Sequence, residues 1–238
     1  MLHILITFDY ELYFKKNLVS SEEILFNPTQ KICQILDSKK VKGVFFADVC
    51  SVWQHNKYSL NNYSKMFEEQ IRFLSLQGHD IELHIHPHWL KSEYCNKEWN
   101  FAEEYYTLDS FINKNEFSLD YNNIISKGID YLENTIKPVN KNYKVLAYRG
   151  GGYSLQPYSL LIKSLVNNNI IFDSSVAMYQ KSLDYSIQKY DYTNLPQKLN
   201  YYLSPNVELH KSDSNKNIEN NNIEAAEEII EIDYKVNK

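Results

Sequence analysis

The chain has 238 residues and a mass of 28.2 kDa, enough to bury one large core. Hydrophobic residues make up 43%, with 20 Tyr, 11 Phe and 3 Trp, which excludes a disordered or collagen-like chain. Twenty-five basic against 30 acidic residues leave a net charge of −5, the wrong sign for a footprint on phosphate backbones, so neither nucleic acid nor anionic membrane is an expected partner.

Leu2–Phe8 is a short apolar, β-prone run that stops at Asp9-Tyr10-Glu11, so a first strand is expected to deliver two carboxylates at its C-terminal end. The run has no basic stretch ahead of it and meets an aspartate too early for a secretory leader. No apolar run approaches the ~18 residues of a membrane span. Cys33, Cys50 and Cys95 form no CxxC pair and read as thiols of a reducing compartment, and the expected location is the cytoplasm.

Ser20 and Glu23 have capping-box spacing, and Asn27-Pro28 precedes Ile32, Ile35 and Leu36 at helical intervals, predicting a helix that ends near Lys40. Val41–Ala47 reads as a second strand. Tyr63–Gln77 carries Met66, Phe67, Ile71 and Leu74 on one helical face ahead of Gly78. Asp80–His86 alternates strictly, with Asp80, Glu82, His84 and His86 on one face and Ile81, Leu83 and Ile85 on the other, as a third strand with a polar inner face.

Residues 87–120 have no clean period and hold Trp89, Tyr94, Trp99, Phe101, Tyr105 and Tyr106, as a lid or insertion over a site would. A helix at Asn122–Ile136, a strand at Tyr143–Tyr148, a helix at Tyr158–Val166 and a strand at Ile170–Phe172, ending at Asp173, follow. Beyond residue 180 the pattern decays through the polar Ser212–Asn222, until Glu227–Asp233 reads as one last strand. The alternation predicts an α/β fold with a parallel sheet, formed by residues 1–238 as a single domain. With no GxGxxG after the first strand and polar residues gathered at strand ends, the expectation is a distorted (β/α) barrel of about seven strands, incomplete at its C-terminus.

Four of the seven histidines fall within Gly78-His79-Asp80-Ile81-Glu82-Leu83-His84-Ile85-His86-Pro87-His88. His84 can converge on one ion with His86, which shares its strand face, or with His88, beyond the turn that Pro87 imposes. Two imidazoles and a carboxylate leave an open position for water, and a second carboxylate can accept its proton, which makes Asp9 and Glu11 the natural complement. Arg149 is one of only two arginines against 23 lysines, and it opens Arg149-Gly150-Gly151-Gly152-Tyr153. Its fork could hold Asp9 ionised, and the glycines could let backbone approach a ligand or simply make a turn. Asp173 and His210 complete the candidates.

The order of Asp9-Tyr10-Glu11, the histidine segment, the Arg149 turn and Asp173-Ser174-Ser175 resembles the polysaccharide deacetylase family, carbohydrate esterase family 4, over about residues 2–176. The resemblance implies Asp9 as catalytic base and Glu11, His84 and His88 as ligands of one divalent ion, zinc. It also implies Arg149, Asp173 and His210 as further catalytic positions; the residues themselves offer Trp89, an aromatic that could stack on a sugar or fill a lid core, and Gly151 and Tyr153 of the glycine turn as substrate-binding candidates. Three departures stand out: Ile85 in place of Ser/Thr, Gly151 in place of proline, and an imperfect echo of the general-acid motif at His210. The implied activity is removal of an N-acetyl group from a sugar or glycan precursor, in a branch tied to bacterial surface polysaccharide synthesis. The alternatives are a hydrolase of small amides and a degenerate member that binds glycan or metal without turnover.

Overall fold

A computed structural model of the chain describes residues 4–12, 20–113, 120–176, 192, 200–202 and 230–232. The elements are β1 (Thr7–Tyr10), α1 (Asn27–Ser38), β2 (Val44–Asp48), α2 (Val49–Lys57), α3 (Asn61–Leu76) and β3 (Asp80–Ile85). A two-stranded hairpin, β4 (Glu93–Cys95) with β5 (Glu98–Asn100), precedes α4 (Asp109–Asn113), α5 (Tyr121–Ile136), β6 (Ala147–Gly150), α6 (Tyr158–Asn167) and β7 (Phe172–Asp173). The short strands β8 (Asn200–Tyr202) and β9 (Ile230–Ile232) come last. The main sheet runs β1-β2-β3-β6-β7-β9-β8, parallel throughout except for the antiparallel pairing of β8 on β9. Among the described residues β1 and β8 are its two edges. No helix among them is long and apolar enough to cross a membrane.

The apolar face of β3 carries Ile81, Leu83 and Ile85, all fully buried, and packs under α3 and α5 through Phe67, Ile71, Leu74, Ile125 and Leu132. Burying each such side chain stabilises the fold by roughly 1.5–3 kcal/mol, which is why the helices lie on this face and leave the polar one for the site.

The strands β2 and β6 start later than the sequence predicts, because backbone donors ahead of them are already taken. The Val41 amide closes α1 onto the Leu36 carbonyl (3.0 Å) and the Gly43 amide donates to His79 Nδ1 (3.0 Å), so β2 begins at Val44. The edge strand β1 takes its register from that start: it pairs from Thr7 opposite Val44, which places Asp9 inside the strand, opposite Phe46. The Leu146 and Ala147 amides both donate to Glu82 Oε2 (2.9 and 2.8 Å), and Val145 N donates to Glu133 Oε1 (3.3 Å), so β6 begins only at Ala147 and includes Arg149. The helix α2 has no counterpart in the sequence reading. Val49, Val52 and Trp53 suit a strand as well as a helix, and no turn residue separates them from β2. Asp48 makes the switch by accepting the Cys50 amide (3.1 Å) as N-cap.

Candidate metal centre

The parallel registers align Asp48, His84 and Arg149 across β2, β3 and β6, and Asp9, Phe46 and Glu82 across β1, β2 and β3. Alternation then puts all six on the face away from α3 and α5. Glu11 follows β1 two residues beyond Asp9, and His86 follows β3 two residues beyond His84.

One oxygen of Glu11, Oε2, faces both imidazoles. It lies 3.3 Å from His84 Nε2 and forms an ion pair with His86 Nε2. The ligand atoms of Glu11, His84 and His86 lie within 4.8 Å of one another, the one such grouping of His, Cys, Asp or Glu found among the described residues. His84 Nδ1 donates to the Arg149 carbonyl (2.7 Å), which fixes the tautomer and leaves Nε2 aimed at Glu11. Burial alone would lower the His84 imidazole, but its hydrogen bond to Glu11 and the charges of Glu11, Asp9 and Asp48 outweigh it and push it up to about 9. Burial would raise the Glu11 carboxyl, and the charge of His86 with hydrogen bonds from both histidines holds it well below the usual range. A field that keeps a proton on His84 is one that favours a cation, and two buried imidazoles with a carboxylate are a donor set suited to zinc.

His88 sits in the 3₁₀ turn Pro87–Lys91, where the proline bends the chain off the strand. Its ring lies 5.4 Å from that of His86 and stacks on Tyr106 (6.1 Å, 17°). Burial, then the charge of His86, pushes it down to about 3 and keeps it neutral. The structure therefore brings His86, not His88, into the group with Glu11 and His84.

Arg149 serves the site at both ends. Its carbonyl takes the His84 hydrogen bond while its guanidinium donates to Asp9 Oδ1 (2.5 Å), Thr7 Oγ1 (3.0 Å) and Ser174 Oγ (2.7 Å), and through Nε to the Ser174 carbonyl (3.1 Å). The guanidinium also lies 4.0 Å over the Phe46 ring. Asp173 is fully buried, but its carboxylate engages Ser175 Oγ (2.6 Å) and N (3.1 Å), and Ser175 Oγ in turn accepts the Gly150 amide (2.7 Å). Asp173 thus braces the glycine turn, while its neighbour Ser174 holds Arg149. Burial pushes its carboxyl up to about 7, with the Ser175 hydrogen bonds opposing.

The turn glycines are steric seats. A Cβ on Gly151 would meet His86 Nδ1 at 2.7 Å and the Ile85 carbonyl at 2.8 Å. Gly152 has φ +69°, and a Cβ there would meet the Tyr106 ring at 2.5 Å. Tyr153 is half-exposed, with its carbonyl accepting from Tyr192 Oη (2.5 Å). Trp89 is fully buried, with His55, Trp99 and Phe101 around its ring. His210 lies outside the described residues.

Thr7, Ser174 and Asp48 are site neighbours to which the sequence reading gave no role. Ser174 is adjacent to a residue already singled out, and Asp48 carries the same signal as Asp9, a carboxylate at the end of a strand.

No family model matches the chain, and no curated protein matches it. A solved structure from Mycobacterium smegmatis, given provisionally as a polysaccharide deacetylase, is similar at 16% identity and a TM-score of 0.34, over 63% of this chain and 37% of that one.

Proposed function

We propose that the chain is a metal-dependent hydrolase that removes an N-acetyl group from a sugar or glycan precursor. The observation that carries this reading is the convergence of Glu11, His84 and His86 next to an Asp9 held by Arg149. Glu11 and the two imidazoles would hold one divalent ion, zinc, which when bound supplies Lewis acidity toward water and the acetyl carbonyl. Asp9 accepts the proton of the attacking water. Arg149 orients the Asp9 carboxylate with one amino group and ties itself to Thr7 and Ser174 with the other. A backbone amide near Tyr153 faces the oxygen on which charge develops. The new C–O bond and the broken C–N bond give acetate and a free amine, which takes up a proton that the resemblance assigns to His210. The same reading makes residues 1–238 one deacetylase-like domain with a barrel-like sheet, and residues 87–120 its aromatic lid.

Release of acetate from N-acetylated sugars, by the metal-stripped chain with and without added zinc, tests the reading. Zinc-dependent release is expected. Asp9→Asn should keep the metal and lose on the order of 10²–10⁴-fold in turnover. Zinc binding without acetate release from any N-acetylated sugar would refute it.

A further inference from the structure

We propose that Asp48 belongs to the metal centre as a positioning residue: it pins His86 from behind and supplies the ion with a second buried negative charge. This rests on the reading that a divalent ion sits on Glu11, His84 and His86.

Asp48 is fully buried at the end of β2, in register with His84. Its Oδ1 accepts the His86 amide and the Cys50 amide, both at 3.1 Å, so one atom fixes the backbone of a ligand and the start of α2 together. Its other oxygen, Oδ2, is buried and has no hydrogen-bond partner. A carboxylate left so is costly unless a positive charge stands near it. Its charge is felt by His86, His84 and Glu11, and by the uncharged Cys50 thiol and Tyr63 hydroxyl. Asp48 is not one of the three residues whose ligand atoms cluster within 4.8 Å, so it stands behind the ligands.

The charges favour a divalent partner. Asp9 is paired with Arg149, and two further carboxylates meet His86, Glu11 at its ring and Asp48 at its backbone amide. A doubly charged ion among them balances the two carboxylates. Asp48 also caps α2, and the two roles separate by substitution. Asparagine caps a helix as well as aspartate does and keeps an oxygen for both amides, but it carries no charge.

The test is zinc titration of the metal-stripped full chain against a competing chelator, with thermal melting of the same metal-free samples. Asp48→Asn is expected to weaken zinc binding at least tenfold, as loss of a partner behind the ligands does elsewhere, while metal-free melting stays unchanged or rises. Asp48→Ala should weaken binding further and also lower the melting temperature. If Asp48→Asn does not fold, Asp48→Ser, which keeps a capping hydroxyl, takes its place with the same expectation. Zinc affinity within twofold of wild type in the folded uncharged variant would overturn the proposal and leave Asp48 a cap. A wild type that binds no zinc would remove both this proposal and the hydrolase reading. A wild type that binds zinc but releases no acetate would remove the hydrolase reading alone.

Discussion

Gly151 and His86 touch so closely that no side chain fits between them: a Cβ on the glycine would lie 2.7 Å from Nδ1 of the imidazole and 2.8 Å from the Ile85 carbonyl. The second contact is backbone, so the ring cannot move alone to make room. Gly151→Ala should therefore displace His86, weaken zinc binding at least tenfold and cost about 1–3 kcal/mol of stability from overpacking. Zinc titration and denaturant unfolding of the same variant check both. Unchanged affinity would show that His86 is not a ligand or that the turn yields freely.

The two neighbouring histidines are separable by the same measurement. His86→Ala should lose the metal, because its Nε2 faces the shared Glu11 oxygen. His88→Ala should retain it, losing instead the stack on Tyr106. Metal content after dialysis reads the difference, and the reverse outcome would place the ligand set at Glu11, His84 and His88.

Arg149 makes four side-chain hydrogen bonds, to Asp9, Thr7 and twice to Ser174, that a lysine ammonium cannot reproduce from one point. Arg149→Lys is expected to fold and to lower kcat for acetate release about 10–100-fold. KM should change less, because the loss falls on the orientation of Asp9. Ser174→Ala should give a smaller loss of the same kind. A wild-type kcat in Arg149→Lys would reduce the arginine to a turn residue.

Glu82 makes stability depend on pH. Burial pushes its carboxyl from 4.5 up to about 8, and the Ala147 and Leu146 amides only partly oppose this. Between those values the folded chain holds a proton that the unfolded chain has released, so stability falls as pH rises from about 4.5 to about 8 and levels off above. Glu82→Gln keeps an acceptor for both amides and removes the penalty. Its stability relative to wild type should rise across this window, by a few kcal/mol at most above pH 8. Denaturant unfolding at several pH values checks the slope, and parallel profiles for the two proteins would refute the assignment.

The strict alternation of Asp80–His86 is a local property of an extended chain, so the face that carries His84 was legible in the sequence. So was the chemistry that pairs the rare Arg149 with Asp9, although the two lie 140 residues apart. The Glu227–Asp233 run also holds a strand, β9, at Ile230–Ile232. What the tertiary structure decided is register. Whether Glu11 meets His86 or His88 depends on where β1, β2 and β3 start relative to one another. The start of β2, from which β1 takes its register, is set by amides diverted to His79 and Leu36, which no periodicity encodes. The same long-range pairing brings Asp48 beside His84, Ser174 onto Arg149 and Gly151 against His86. The sequence by itself determined which side chains share a face of each strand, because that follows from the bond geometry of successive residues. Which of them meet across strands was decided only when cross-strand hydrogen bonding selected one alignment.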